Sequence, residues 1–161
     1  MVDMIYREGW LMEILIKLIA SFFYLGYFPV APGTLASFVF LLIRRFLWPD
    51  RPSLWLELVL FLFLLLSGTW ASQRFSQSVN RDDPRQIVID EVCGQALAVV
   101  ALPSSIPNLL MAFILFRSMD IIKPFPINRL ERIKGGRGIM ADDLAAGLMA
   151  RLFLEIYFSF L

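Results

Sequence analysis

Five carboxylates stand out in the second half of the chain: Asp90-Glu91, Asp120 and Asp142-Asp143. Their surroundings are apolar and poor in acid. Gathered at one place they would repel one another and draw in a hard cation. Mg²⁺ takes oxygen ligands, keeps several waters and is often shared with phosphate oxygens. Each pair alone has a plainer reading, because the helix dipole favours acidic residues in any first turn. Both pairs together on one face, beside a basic segment, point to metal instead. Asp90, Glu91, Asp142 and Asp143 are therefore the expected metal ligands or holders of metal-associated water, with Asp120 a further catalytic candidate.

The basic segment is FRSMDIIKPFPINRLERIKGGRGIM. Lysine and arginine clamp phosphate, arginine with bidentate geometry. Arg117, Lys123, Arg129, Lys134 and Arg137 are the phosphate-binding candidates. Lys123 is also expected to act in catalysis, because Pro124 stops its helix beside Asp120. The plainer alternatives are a basic loop against anionic headgroups and an Arg117–Asp120 pair three residues apart. Earlier in the chain, Pro32-Gly33-Thr34 opens a helix. Thr34 can cap it, and the free N–H groups there suit a phosphate. Gly135-Gly136-Arg137-Gly138 fits an anion nest or a flexible turn. Cys93 reads as a small buried residue.

Composition narrows the chemistry. The 161 residues include no histidine and one cysteine. That excludes a histidine base, a Ser-His-Asp triad and an internal disulfide. Any metal must be held mainly by oxygen. Lys+Arg is 15 and Asp+Glu is 14, so a nucleic-acid binder built on bulk positive charge is excluded. Hydrophobic residues reach 58% and mean hydropathy is +0.69. That is too apolar for one small soluble core, so a membrane protein is expected, as a single domain over 1–161. The N-terminal residues, with Asp3, Arg7, Glu8, Glu13 and Lys17, lack the pattern of a cleavable signal.

The elements that must position these residues read as all-helical. The expected helices are Trp10–Leu25, Thr34–Leu47, Ser53–Ser76, Ile87–Leu102 and Pro107–Ile122. A short polar helix over Ile127–Lys134 and a last helix over Asp142–Phe160 follow. The expectation is a compact bundle of six or seven helices, several membrane-embedded, some short or broken, with a polar site at one membrane face. Only Ser53–Ser72 approaches the roughly 20 apolar residues of a spanning helix. The turn Pro103–Pro107 joins two arms of similar length into a hairpin. It returns Arg117–Lys123 to the side of Asp90-Glu91, and Gly26–Thr34 and Asp142-Asp143 are expected there too. The excess of Lys and Arg over residues 117–137 favours a cytoplasmic face. Arg44, Arg45 and Arg51 would lie opposite.

Three segments carry a resemblance: YLGYFPVAPGTLASF, IVIDEVCGQALAVVALP, and LFRSMDIIKPFPINRLERIKGGRGIMADDLAAGLMA. They resemble the phosphatidylglycerophosphatase A family over about Phe23–Ala150. The most specific part is D-x-x-K-P-x-P-I followed by G-G-x-G-I-M-x-D-D-x-x-A-G. Family members often carry histidine in the loop before the D-E pair, whereas this chain has Asn80-Arg81-Asp82-Asp83-Pro84. They commonly have an apolar residue where Cys93 stands. The resemblance implies a Mg²⁺-dependent lipid phosphatase that removes the terminal phosphate of phosphatidylglycerophosphate, leaving phosphatidylglycerol. It implies a bacterial inner-membrane protein, multi-pass or deeply embedded, with its site toward the cytoplasm.

The residues themselves leave two routes open: water activated by the metal, or direct attack by a carboxylate. Activated water is favoured, since the carboxylates are needed for metal. Two rivals are a non-enzymatic membrane protein whose basic face binds anionic lipid or a partner, and a phosphatidyltransferase. The D-G-x-x-A-R motif of the latter is absent.

Overall fold

The structure, a computed structural model, describes residues 2–47, 53–130 and 136–160, with backbone alone at 2–8, 136 and 137. Seven α-helices and no strand occur among the described residues: α1 (Val2–Ala20), α2 (Pro32–Leu47), α3 (Leu54–Val79), α4 (Ile89–Ala98), α5 (Ile106–Ile122), α6 (Ile127–Leu130) and α7 (Gly136–Ser159). The all-helical bundle expected from the sequence is the one found.

Local chemistry sets the boundaries. Helix α1 stops five residues before its expected end, because Phe22, Phe23 and Tyr24 all take positive φ, which no helix continues through. A single 3-10 turn, Leu25–Tyr27, then leads toward α2, which opens on Pro32 at a position where the missing N–H costs nothing. Asn80, at φ 52°, caps α3 in the left-handed conformation. Ser105 caps α5 by accepting the Asn108 N–H at 3.4 Å, and Lys123, at φ 46°, ends it. Helix α4 is shorter than the expected Ile87–Leu102 and gives way to turns from Val99. Helix α7 begins at Gly136 rather than Asp142. Asp142 and Asp143 therefore lie beyond its first turn, outside reach of the dipole argument. The part of the expected polar helix beyond Leu130 lies outside the described residues, apart from what α7 covers.

Helix α4 sits at the centre, packed against α2, α3, α5 and α7. Its Val88, Ile89, Val92 and Cys93 form a core with Ala20 of α1's end, Ala71 and Phe75 of α3, and Met140 of α7. The approach of α4 to α7 is backbone on backbone. A Cβ at Gly147 would lie 2.2 Å from the Gly94 carbonyl oxygen, and one at Gly94 would lie 2.6 Å from that of Asp143. No other residue type fits either position without moving a helix. This contact brings the start of α4 beside Asp143.

At the other end of α4 lies a buried polar cluster. The Arg44 guanidinium pairs with Glu57 at 2.5 Å and donates to the carbonyls of Val99 at 3.1 Å and Leu102 at 2.8 Å. Glu57 accepts the Ala101 N–H at 2.7 Å. Arg151 donates to the Val100 carbonyl at 2.8 Å. Arg44 lies at the end of α4 away from Asp90 and is 6% exposed, held there because the end of α4 presents carbonyls that lack helical partners.

The outside of the bundle is apolar. On α3, Trp55, Val59, Phe63 and Leu66 are all more than half exposed and recur at helical spacing. Helix α3 alone among the described residues is long and apolar enough to cross a membrane; its 26 residues extend about 39 Å at the α-helical rise.

Candidate active site

Asp90 and Glu91 occupy the first turn of α4, and Asp143 comes from α7. One carboxylate oxygen of each lies within 4.8 Å of those of the other two. Asp90 Oδ1 and Glu91 Oε2 are buried without a hydrogen-bond donor. Burial pushes the Asp90 carboxyl well above the usual range, with the charges of Glu91 and Asp83 adding to it. Burial does the same to Asp143, assisted by the charges of Asp90, Asp120 and Glu91 and by a hydrogen bond with Asp120. Glu91 is raised more modestly, since burial is opposed by its hydrogen bond with Asp90 and by the Arg117 charge.

Crowding of this kind is unfavourable for the protein alone, as carboxylates removed from water need a counter-charge. Oxygen donors only, two of them lacking a protein partner, suit a hard divalent cation. The donor set fits the metal expected from the sequence. Nothing in it distinguishes Mg²⁺ from another hard ion.

Neighbouring elements complete the site. A cleft of about 390 Å³ opens over the start of α4, bounded by Pro32, Gly33 and Thr34 of α2, by Asp83 and Arg85, by Asp90 and Glu91, and by Arg117 and Ile121 of α5. Gly33 is required there. A Cβ would stand 1.7 Å from Glu91 Oε1, so only glycine lets the carboxylate lie against the start of α2. Ser37 Oγ donates to the Glu91 carbonyl at 3.4 Å. Arg117 pairs with Asp120 at 2.5 Å, both largely buried. Helix α5 outruns α4, so Arg117 and Asp120, rather than the end of α5, return level with Asp90.

The remaining candidates are distributed as follows. Asp142 is not among the three gathered carboxylates and pairs with Lys123 at 2.8 Å; neither residue borders the cleft. Arg129 stacks over the Phe125 ring at 4.8 Å and does not border the cleft. Lys134 lies outside the described residues, as does the Arg137 side chain. Cys93 is fully buried, and burial, with Asp90 and Asp143 nearby, pushes its thiol up, so it is no nucleophile. Arg85, on the cleft wall and donating to the Pro29 carbonyl, was missed. Its loop carries Arg81, Asp82 and Asp83 as well, and no spacing in such a charge-dense stretch singles out one residue.

The sequence profile of the family described as phosphatidylglycerophosphatase A matches residues 18–158. This chain belongs to that family. A candidate phosphatidylinositol-3-phosphatase of Bacteroides thetaiotaomicron is 34% identical over 146 residues, covering 86% of this chain and 91% of that one. The phosphatidylglycerophosphatase A of Escherichia coli is 33% identical over 138 residues, 83% of this chain and 77% of the relative. That of Haemophilus influenzae is 34% identical over 137 residues, 84% and 83%. No solved structure matches the chain. Family membership makes the protein a phosphatase, and together with the apolar α3 it points to membrane association.

Proposed function

We propose that this member of the phosphatidylglycerophosphatase A family hydrolyses the terminal phosphomonoester of phosphatidylglycerophosphate, with Mg²⁺, and so yields phosphatidylglycerol for phospholipid synthesis. The observation that carries the reading is the trio Asp90, Glu91 and Asp143, of which Asp90 and Glu91 border a cleft that also presents Arg85, Arg117 and Thr34. These three carboxylates would hold the ion, which when bound supplies Lewis acidity toward a phosphoryl oxygen and toward water. Arg117, oriented by Asp120, offers its guanidinium to the phosphate. Thr34 and the N–H groups at the start of α2 offer further donors. Asp120, bonded to Asp143, fixes that carboxylate's orientation. Asp142 holds the Lys123 ammonium at the end of α5. With this division of labour water is the attacking group, because Asp90, Glu91 and Asp143 are committed to the cation. The basic segment and the exposed apolar flank of the bundle support an inner-membrane location with the site toward the cytoplasm.

Purified protein in detergent, supplied with phosphatidylglycerophosphate, is expected to release phosphate with Mg²⁺ and to stop in excess chelator. Full activity in chelator would remove the metal from the reading. Running phosphatidylinositol 3-phosphate in parallel tests the chemistry named for the Bacteroides relative. A higher kcat/KM on that lipid would reassign the substrate while leaving the site intact.

A further inference from the structure

The cleft does not end at its polar floor. Its walls are the start of α2 and the last turns of α5, and both helices continue side by side away from it. Halfway along, Phe38 of α2 meets Phe113 of α5 edge to face, with ring centroids 6.1 Å apart. Thr34, Phe38 and Leu42 recur at i, i+4 and i+8 along α2. Leu110, Ile114 and Ile121 form a matching row on α5. Phe38, Leu42, Leu110, Ile114 and Ile121 are all at least two-fifths exposed. No charged residue occurs over 35–43 or 107–116. From cleft to far end the rows run about 12–16 Å at the helical rise, close to one leaflet's share, about 15 Å, of a bilayer's hydrocarbon core.

We propose that the exposed apolar face formed by α2 and α5 is the acyl-chain track of this enzyme, along which a diacyl lipid enters sideways from the bilayer with its phosphomonoester in the cleft. The inference rests on the lipid-phosphatase reading above and adds where the tails lie. Continuity with the cleft through Thr34 and Ile121 commits this face to that occupant. The exposed face of α3 is as apolar, yet none of its residues borders the cleft. Cations and hydrogen-bond donors crowd one end of this face and apolar side chains cover the rest, matching the charge pattern of a phosphorylated lipid.

Wild-type protein in nanodiscs of phosphatidylcholine is irradiated with a trace of phosphatidylglycerophosphate bearing a diazirine in one acyl chain. Adducts are mapped by peptide mass spectrometry. The expected result is enrichment in peptides of α2 and α5 over a diazirine phosphatidylcholine control, abolished by excess unlabelled phosphatidylglycerophosphate. Adducts spread over α3 as in the control would overturn the track. Ile114→Trp, which puts a bulky ring on the track, should lower kcat/KM for a dioleoyl substrate by about tenfold, the scale at which apolar surfaces discriminate by shape. It should leave a water-soluble dibutyroyl analogue unchanged. Equal losses on both substrates, or none, would count against the track. Should wild-type protein release phosphate from neither lipid, it is the phosphatase reading that fails. Hydrolysis of both without enrichment in α2 and α5 sinks the track alone.

Discussion

At the C-terminal end of α4 the buried charges are matched; at its N-terminal end, one short helix away, three carboxylates crowd one another. Arg44 and Arg151 satisfy the carbonyls of Val99, Val100 and Leu102, and Glu57 balances Arg44. Asp90, Glu91 and Asp143 lie within 4.8 Å of each other, with Arg117 already engaged by Asp120. The far end is arranged as a fold would have it. The near end keeps charge in a condition that costs the isolated chain stability and that a cation would relieve. Proteins tolerate such strain where it serves chemistry. The contrast therefore separates what holds the bundle together from what it is for.

Breaking the near end should remove activity and spare the fold. Asp143→Asn keeps shape and deletes charge, and phosphate release is expected to become undetectable or to fall by more than about 10³, beyond the loss of a single transition-state contact. Because burial already disfavours the ionised Asp143 carboxyl, the melting temperature in chelator should hold or rise. A clear drop in melting temperature with normal turnover would reverse the assignment of this end.

Breaking the far end should do the opposite. Arg44→Met leaves Glu57 buried without its partner, a change worth about 3–5 kcal/mol. Denaturant unfolding should show that loss, while folded protein at low temperature retains near-normal kcat. A smaller effect falls between the two. Lys123→Met keeps the stem and leaves the backbone conformation no more strained than before, since neither residue is glycine. Turnover is expected to fall by about 10²–10³, with membrane association intact. Smallest of all, Arg129→Ala should change turnover less than about threefold, as expected of a cation stacked on a ring at the surface. A large loss there would bring the second half of the basic segment into the site.

The contrast also explains what could be read from residues alone. Helix number and type were legible, because Gly and Pro clusters punctuate long apolar runs. Asp90-Glu91 was legible as an acidic pair opening a helix. The pair Asp142-Asp143 was only half legible. Neighbouring residues on a helix point about 100° apart, so one can face the cation site while the other turns to Lys123. Which does so depends on where α7 begins, and glycines at 135, 136 and 138 blur that start. The burial of Arg44 was not legible, because its partners, Glu57 and the end of α4, meet it only through tertiary packing. Lys134 and Arg137 stay as the sequence left them.

The contact between Gly94 and Gly147 has a metrological side. Two helices resting backbone to backbone have no side chains to compress, so their separation is a fixed dimension, and the span between Asp143 and the α4 carboxylates inherits it. An ion held between them would meet that fixed span. Mg²⁺ asks for oxygens at about 2.0–2.1 Å and Ca²⁺ for about 2.3–2.6 Å. A methyl group at Gly147, 2.2 Å from the Gly94 carbonyl oxygen, must part the two helices. Titrating Gly147→Ala with both ions is expected to show Mg²⁺ binding weakened more than Ca²⁺ binding; equal changes for the two ions would uncouple this helix contact from the carboxylate span.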